Sequence, residues 1–413
     1  MTDATTPALA RFERILVAVD SSPDSEAATL EAVELARRAR ARVAGLHVYA
    51  AKLHDLRFRQ MEGVLPPELQ KEDELEKQRT IHDKLITRGL GMISDSYLDQ
   101  TERACDGVGV AFERVGAEGK NYRVILEHLD ASTEDLLVMG FHGLGAGRAD
   151  VPGTVCARVA RKTSTDILVV REGARRLGDG PIVVGVDGSD ESFGAVLTGV
   201  ELGRLYGAPV QLVAVYDPDF HSVAFRRIGE VISERGARVF RLQDQEKLHT
   251  DIIDTGLANI YQSHLEVAAR IALGAGLEVS TELLAGKPYE AILAYLEESC
   301  ASLVIVGKVG VHADAGLDIG GNAERLLQLS KTPVLLSCRS HAPPQEIVAE
   351  QTLSFTEEAD AALARVPAPV APMVRKAIVG WALERGHAVV TATIVAEATQ
   401  ELLSGMIPGG ERG

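Results

Sequence analysis

The sequence is poor in cysteine and has no long apolar segment. The four cysteines, Cys105, Cys156, Cys300 and Cys338, are scattered and form no CxxC pair, which argues against a zinc knuckle or a disulfide framework. No segment reaches the roughly 18 uninterrupted apolar residues that a membrane span requires, and the opening MTDATTPALARFER lacks the apolar core of a signal peptide. We therefore expect a cytoplasmic protein with reduced thiols.

Positive charge is also scarce. The chain has 43 Lys and Arg against 59 Asp and Glu, a formal net charge of -16. Such a chain repels the backbone of nucleic acids and the anionic face of a membrane, so neither is expected as a partner. Its 413 residues, 46% hydrophobic and 25% charged, match folded soluble proteins of two or three domains.

The chain contains an internal repeat. RILVAVDSSPDSEA at 14–27 returns as PIVVGVDGSDESFG at 181–194, an offset of 167 residues. The same offset pairs EGKNYRVILEHL at 118 with AGKPYEAILAYL at 285, and LLVMGFHG at 136 with LVIVGKVG at 303. One register without insertions carries these pairs, which indicates two copies of one domain over residues 12–172 and 179–339.

Within each copy, apolar runs alternate with amphipathic segments. ILVAVD and VAGLHVY have the apolar, β-branched character of strands covered on both faces, and SEAATLEAVELARRARA is typical of an amphipathic helix. Because neighbouring parallel strands need crossover helices, the expected fold class is α/β, with two tandem open doubly wound parallel-sheet domains. Ligands bind such sheets beyond the carboxyl ends of the strands, where Asp20 and Gly140 lie.

The amino-acid composition changes after residue 340. The segment 340–352, with HAPPQEIVAEQT, is predicted to be a linker, and residues 353–404 to be a small all-α module of three helices. Pro367, Pro369 and Pro372 separate the first helix from the second. A third folded part therefore follows the two copies.

A glycine-rich loop follows the strand DLLVMG. In GFHGLGAGRADVPGT, Gly140, Gly143, Gly153 and Thr154 give the spacing G-x2-G-x9-G-[ST] immediately before a predicted helix. A phosphate requires backbone N–H groups without an obstructing Cβ, and a helix N-terminus supplies them together with a favourable dipole. The pattern thus predicts a phosphate cradle, and the alternative is that these glycines only turn the chain.

With Asp20 at the end of the first strand, both copies resemble universal stress protein domains, and the first carries that family's ATP-binding signature. The resemblance implies ATP, AMP or ADP as the cofactor, leaves an accompanying Mg²⁺ open, and assigns no residue to a metal. It places nine residues around the nucleotide: Asp20 and the backbone of Val48 at the adenosine, Met139, Gly140, His142 and Gly143 along the ribose and phosphates, and Gly153, Thr154 and Val155 at the phosphate end.

The second copy departs from this pattern. Its glycines keep the spacing at Gly307, Gly310 and Gly320. However, Gly321 replaces Thr154, and the loop brings in Asp314 and Asp318. Two carboxylates repel a triphosphate unless a cation lies between them, and Lys308 is expected to offset this only in part. We expect weak or no ATP binding in the second copy.

The C-terminal module resembles the small C-terminal domain of the B subunit of light-independent protochlorophyllide reductase. The resemblance rests on FTEEADAALARVP, PMVRKAIVGWALERG and VVTATIVAEA between Phe355 and Leu403. It implies an interaction module that contacts a tetrapyrrole or a protein partner. A generic helical docking or dimerisation module is an equally open interpretation.

Together these features favour a tandem universal stress protein, a nucleotide-dependent stress-response regulator or adaptor that forms a homodimer. The chain has no P-loop and no G-x-S-x-G elbow. A slow ATP-hydrolysing or phosphoryl-transferring enzyme is one alternative, with His142 and Arg148 as the only nearby candidates for the chemistry. A docking adaptor that binds no nucleotide is the other.

Overall fold

The structure, a computed structural model, describes residues 9, 11–145, 151–218, 254–311, 316–367 and 370–406. Two compact units make up the chain: Met1–Asp217 with Ala272–His341, and Pro218–Ile271 with Ala342–Gly413. The strands of both copies belong to the first unit. Within the described ranges, no helix is long and apolar enough to cross a membrane.

The first copy forms one half of a large sheet. Its strands are β1 (Arg14–Ala18), β2 (Arg42–Tyr49), β3 (Phe112–Glu118), β4 (Leu136–Gly140) and β5 (Asp166–Val170). Its helices are α1 (Pro23–Ala39), α2 (Ala51–Met61), α3 (Glu72–Asp106), α4 (Asn121–Ala131) and α5 (Thr154–Lys162). The strands lie in the order β3-β2-β1-β4-β5 and pair in parallel.

The second copy forms the other half. Its strands are β6 (Ile182–Gly185), β7 (Val210–Tyr216), β8 (Ser280–Ala285), β9 (Leu303–Gly307) and β10 (Val334–Ser337). Its described helices are α6 (Asp190–Tyr206), α7 (Asp254–Gly274), α8 (Pro288–Glu298) and α9 (Gly321–Leu329). The order β10-β9-β6-β7-β8 repeats that of the first copy, again in parallel. The predicted α/β class with parallel, doubly wound sheets is confirmed.

The two halves join through their last strands. β5 and β10 pair antiparallel, with Val169 opposite Val334 and Ile167 opposite Leu336. This pairing makes one ten-stranded sheet. Because the strands of the two copies run in opposite directions, their carboxyl ends lie at opposite edges of the sheet.

Local sequence explains how the first turn of the sheet is built. Ile15, Leu16 and Val17 of β1 are completely buried, as expected of a parallel strand covered on both faces. Ser22 caps α1 by accepting a hydrogen bond from the N–H of Ser25, and a proline occupies the first position of the helix. This cap fixes the segment from Asp20 onward at the carboxyl edge of β1.

Helix α1 makes polar contacts with the segment that joins the two copies and with a helix of the second copy. Buried Glu31 on α1 pairs with Arg176 of the joining segment at 2.5 Å. The guanidinium of Arg38 lies over the ring of Tyr206 on α6, 4.6 Å from its centroid. Burial raises the pKa of Glu31 even though Arg176 opposes the shift. The junction therefore includes a buried carboxylate that pairs with Arg176 and also accepts the N–H of Leu177 at 3.4 Å.

The second unit contains the C-terminal module. It comprises α10 (Gln345–Thr352), α11 (Glu357–Leu363), α12 (Ala371–Glu384) and α13 (Ala392–Met406), with Ser354–Phe355 (β11) paired in parallel with Val389–Val390 (β12). Its apolar side chains form a cluster of their own: Ala359, Leu363, Ile378, Ala382, Val390, Val395 and Ala398. The segment predicted as a linker thus contains a helix, because QEIVAEQT after Pro344 consists of good helix formers. The strand pair is too short to leave a pattern in the sequence.

Candidate functional site

A cavity of about 770 Å³ opens at the carboxyl edge of the first copy. All nine residues that the family resemblance assigns to a nucleotide line it: Asp20, Val48, Met139, Gly140, His142, Gly143, Gly153, Thr154 and Val155. They come from the ends of β1, β2 and β4 and from the start of α5. The fold therefore brings together residues that are far apart in the sequence.

Other residues line the cavity that the sequence analysis did not single out. Ser25 and Asn121 lie in the first turns of α1 and α4, so with Thr154 three helix N-termini surround the cavity. His47 on β2 and the buried side chain of Cys156 complete the polar lining. Burial raises the pKa of Cys156 to about 12, so it remains a thiol. Helix-start signals after the predicted strands could have identified Ser25 and Asn121.

Asp20 holds the glycine loop against the first turn. Its Oδ1 accepts hydrogen bonds from the N–H of Ser22 at 3.0 Å and from the Ser22 hydroxyl at 2.6 Å. Its Oδ2 accepts the N–H of Leu144 at 3.1 Å. The carboxylate is therefore a fixed anionic wall of the cavity that connects β1 to the loop after β4.

The glycines of the loop are required by close packing. A Cβ on Gly140 would lie 2.7 Å from the backbone N of Ser25, and one on Gly153 would lie 3.2 Å from the carbonyl oxygen of Phe141. A Cβ on Gly143 would collide with the Asp20 carboxylate. Close approach alone thus accounts for part of the glycine spacing.

The start of α5 presents backbone donors to the cavity. The N–H of Gly153 donates to Phe141 O at 2.8 Å, and the first helical hydrogen bond is that of Ala157 N to Gly153 O at 2.9 Å. The N–H groups of Thr154, Val155 and Cys156 therefore have no acceptor inside the helix. Such N–H groups, with the helix dipole, form an anion site.

His142 is oriented by an aspartate. Asp24 Oδ2 accepts the backbone N–H of His142 at 2.9 Å and also lies 2.9 Å from its Nδ1. Asp24 Oδ1 accepts the N–H of Glu172 at 2.7 Å. A protonated Nδ1 therefore donates to Asp24, which fixes the imidazole at the wall of the cavity.

The corresponding loop of the second copy has the same anchor. Asp187 Oδ1 accepts the N–H of Ser189 at 3.0 Å, and Asp187 Oδ2 accepts the N–H of Val311 at 3.0 Å. Gly310 lies against Asp187 as Gly143 lies against Asp20. The packing role of the aspartate and glycine is therefore common to both copies.

The charged residues of the second loop make contacts across the junction between the copies. Lys308 is buried and donates to the carbonyl oxygen of Thr163. Lys162 and, to a smaller extent, Lys308 lower the pKa of Asp318, so Lys308 offsets the charge of this loop in part, as expected. Asp318 pairs with Lys162 at 2.8 Å, and Glu324 pairs with Arg161. These ion pairs connect the second loop, through Asp318, and α9, through Glu324, to the end of α5. Asp314 and Arg148 lie outside the described residues.

Comparison with known proteins identifies the repeated domain. The model of the universal stress protein family matches residues 11–171 and 180–337. Universal stress protein MJ0531 of Methanocaldococcus jannaschii is 26% identical over 156 residues, 38% of this chain and 79% of that protein. Universal stress protein Rv1636 of Mycobacterium tuberculosis is 26% identical over 157 residues, 38% of this chain and 93% of that protein.

Solved structures show similar chains. A universal stress protein from Archaeoglobus fulgidus DSM 4304 is 15% identical, with a TM-score of 0.47, over 78% of this chain and 97% of its own. The universal stress protein from Archaeoglobus fulgidus in complex with dAMP is 22% identical, with a TM-score of 0.25, over 38% of this chain and 97% of its own. Since the family model covers both copies and most of the chain, the protein belongs to the universal stress protein family.

Proposed function

We propose that the first copy, residues 12–172, binds an adenine nucleotide in the cavity at the carboxyl edge of β1, β2 and β4, with ATP as the favoured ligand over AMP or ADP. The observation that carries this proposal is that all nine expected residues line one cavity. Its volume of about 770 Å³ lies within the range of small-molecule sites. The solved family member in complex with dAMP binds a ligand of the same class.

The lining separates into an apolar end and a polar end. Leu46, Ile125 and Met139 supply apolar surface beside Val48, which suits the flat face of an adenine. The carboxylate of Asp20 suits the ribose hydroxyls, which donate hydrogen bonds to an ionised acceptor. The adenosine part therefore fits between β1 and β2.

The phosphates fit at the start of α5. The N–H groups of Thr154, Val155 and Cys156 supply donors, and the Thr154 hydroxyl supplies another. Mg²⁺, where it accompanies ATP, belongs to the ligand in this proposal. In the second copy, residues 179–339, Gly321 supplies no hydroxyl, so we propose that nucleotide binding is confined to the first copy.

The direct test is the mass spectrum of small molecules released when freshly purified protein is denatured, followed by calorimetry with ATP on nucleotide-free protein. Gly153→Val should abolish binding, because its Cβ lies 3.2 Å from Phe141 O at the phosphate end. Gly320→Val is the matched control in the second copy, where the Cβ lies 3.4 Å from Lys308 O. Absence of both a released nucleotide and a heat of ATP binding would refute the proposal and favour the nucleotide-free adaptor.

We further propose that the bound state is transmitted to a protein partner through residues 353–404, and that the protein acts as a stress-response regulator in a homodimer. The separate apolar core of this module supports an independent docking role. The tetrapyrrole alternative is tested by titrating the protein with protochlorophyllide and recording its visible absorption. A saturable band shift would favour the tetrapyrrole, and an unchanged spectrum would exclude it.

A slow ATPase is the second candidate, and the Asp24–His142 contact of 2.9 Å favours it. An imidazole held by a carboxylate at the cavity wall is able to accept a proton from an attacking water. This candidate predicts turnover above roughly 0.1 per second, lost in His142→Ala. Absence of phosphate release over hours would exclude it and leave binding as the function.

A further inference from the structure

An arginine that follows β5 contacts the loop that follows β4. The guanidinium of Arg171 lies over the ring of Phe141, 3.2 Å from its centroid, and Phe141 is only 1% exposed. The rings of Phe141 and His142 meet edge to face, with centroids 4.6 Å apart. A cation is held most strongly over an aromatic ring that is shielded from water. Arg171 is not among the described residues that line the cavity, so it restrains the loop from behind the cavity wall.

Phe141 connects this contact to the phosphate end of the cavity. Its N–H donates to Val170 O at 2.9 Å, and its carbonyl oxygen accepts the N–H of Gly153 at 2.8 Å. Gly153 immediately precedes α5, whose first N–H groups are the proposed phosphate donors. A displacement of Phe141 would therefore move both His142 and the start of α5.

The carboxylate of Asp24 joins the same two strand ends. It accepts the N–H of His142 at 2.9 Å and the N–H of Glu172 at 2.7 Å. These are the residues that directly follow Phe141 and Arg171. Burial lowers the pKa of Arg171 and the charge of Asp24 opposes that shift, so the two side chains interact. We call Asp24, Phe141 and Arg171 the loop clamp.

Arg171 is also attached to the second copy. Its Nη2 donates to the carbonyl oxygen of Gln328 at 2.8 Å, in the last turn of α9. The last carbonyls of a helix have no donor within that helix, and arginine side chains are suitable partners for them. The loop clamp of the first copy is therefore connected to a helix end of the second.

The arginine–aromatic pair is specific to the first copy. At the offset of 167 residues, Lys308 stands in place of Phe141 and Cys338 in place of Arg171. Lys308 donates instead to the carbonyl oxygen of Thr163 across the junction. The pair thus accompanies the loop that we propose to bind ATP, and the sequence of the other loop does not provide it.

We propose that Arg171 is a positioning residue for nucleotide binding, which holds Phe141, and with it His142 and the start of α5, at a point fixed by α9. The second copy thereby supports the nucleotide site of the first, a role that requires no nucleotide in the second. The inference rests on the proposed function, because it assigns a further residue to the same site.

The affinity of the nucleotide-free full chain for ATP, measured by calorimetry, tests the proposal. Arg171→Met should weaken ATP binding by about tenfold, within the range of coupling between linked sites. Arg171→Lys keeps the charge and should recover part of the affinity.

Arg38→Met is the matched control, because Arg38 makes the same two kinds of contact elsewhere. Its guanidinium lies over the ring of Tyr206, and its Nη1 donates to the carbonyl oxygen of Leu205 in the second copy at 3.1 Å. Arg38 lies thirteen residues along α1 from Ser25 of the cavity lining, a distance of about 20 Å. The variant should bind ATP with the affinity of the wild type.

A double-mutant cycle shows whether Arg171 acts through Phe141. Phe141→Leu should weaken ATP binding, and the further change Arg171→Met should then cause little additional loss. Circular dichroism and urea unfolding verify that each variant is folded at the temperature of the titration. Without ATP, the imidazole NMR resonances of His142, assigned with His142→Gln, should shift in Arg171→Met and not in Arg38→Met.

The possible results separate this inference from the proposed function. Wild-type protein that binds no ATP would refute the proposed function, and the role of Arg171 in binding with it. Wild-type affinity in folded Arg171→Met, an unchanged His142 resonance, or additive losses in the cycle would overturn the positioning role alone. If Arg171→Met does not fold, Arg171→Gln, which keeps a donor but no charge, replaces it in the same comparison, and wild-type affinity there would overturn the proposal.

Discussion

The carboxylate of Asp20 lies against Gly143 so closely that a Cβ on residue 143 would stand less than 3.0 Å from its Oδ2. Asp187 and Gly310 of the second copy have the same relationship. In each copy the following N–H donates to that Oδ2, at 3.1 Å and 3.0 Å. The second glycine of the signature therefore serves the packing of the loop in both copies, and the proposed difference in ligand binding depends on residues that differ between the copies.

Alanine at these glycines should destabilise both copies. In Gly143→Ala and Gly310→Ala the new Cβ must displace an aspartate that is already hydrogen-bonded, and overpacking of this kind costs about 1–3 kcal/mol. Urea unfolding should report similar losses for the two variants. Calorimetry should show ATP binding lost in Gly143→Ala and kept in Gly310→Ala. Unchanged stability in Gly143→Ala would contradict the packing argument.

The sequence allowed the parallel sheets to be predicted but not their junction. DILVV in β5 and VLLS in β10 are entirely buried, and their apolar character indicates coverage on both faces. Periodicity does not identify the neighbouring strand, because each copy alone would end in an unpaired edge at this position. Only the assembled fold shows that Val169 pairs with Val334.

Residues of the candidate site could be predicted where they follow a strand or match the family's motif, and not where a polar residue lies within a strand. Asp20 and Gly140 were identified because they directly follow apolar runs. His47 lies inside β2, where a single polar residue gives no sign of a cavity. The hydrogen bond of Lys308 to the carbonyl of Thr163 was not predicted, because Thr163 belongs to the other copy. Contacts across the junction are not encoded in any local pattern.

His47 should make stability depend on pH. Its Nδ1 is buried without a partner in the described part of the chain, and its ring packs edge-on against Tyr97 with centroids 5.0 Å apart. Burial lowers the pKa of His47 below 6.5. Between the folded pKa and 6.5 the unfolded chain binds more protons, so stability falls as pH is lowered through that window.

The test compares His47→Phe with the wild type. As the pH falls from 7 to 5, the thermal midpoint of His47→Phe should rise relative to that of the wild type, because the variant has no buried imidazole to protonate. His54→Phe, at an exposed residue of α2, is the control and should follow the wild type. Parallel pH profiles for all three proteins would refute the assignment.

Arg176→Met should destabilise the junction in a pH-dependent way. The variant leaves Glu31 buried without its cation. Its free energy of unfolding should fall by about 2 kcal/mol, less than for a fully buried pair, because half of the Arg176 side chain is exposed. The pKa of Glu31, already raised by burial, should rise further. A raised carboxyl pKa removes stability as pH increases above 4.5, so the deficit should be larger at pH 8 than at pH 5. Arg175→Met is the neighbouring control, and an equal loss there would contradict the prediction.

Substitutions at Thr154 and Gly321 should separate the role of the loop in ligand binding from its role in packing. Thr154→Gly removes a hydroxyl that donates to a charged phosphate and should weaken ATP binding by about tenfold, as expected for one such hydrogen bond. Thr154→Ser keeps the donor and should retain most of the affinity.

The reverse change, Gly321→Thr, fits sterically because a Cβ at that position meets no atom within 4 Å. The altered second copy still carries Asp318 beside Lys162, so calorimetry should continue to show one ATP per chain. A second equivalent of bound ATP in Gly321→Thr would show instead that the hydroxyl alone distinguishes the two copies.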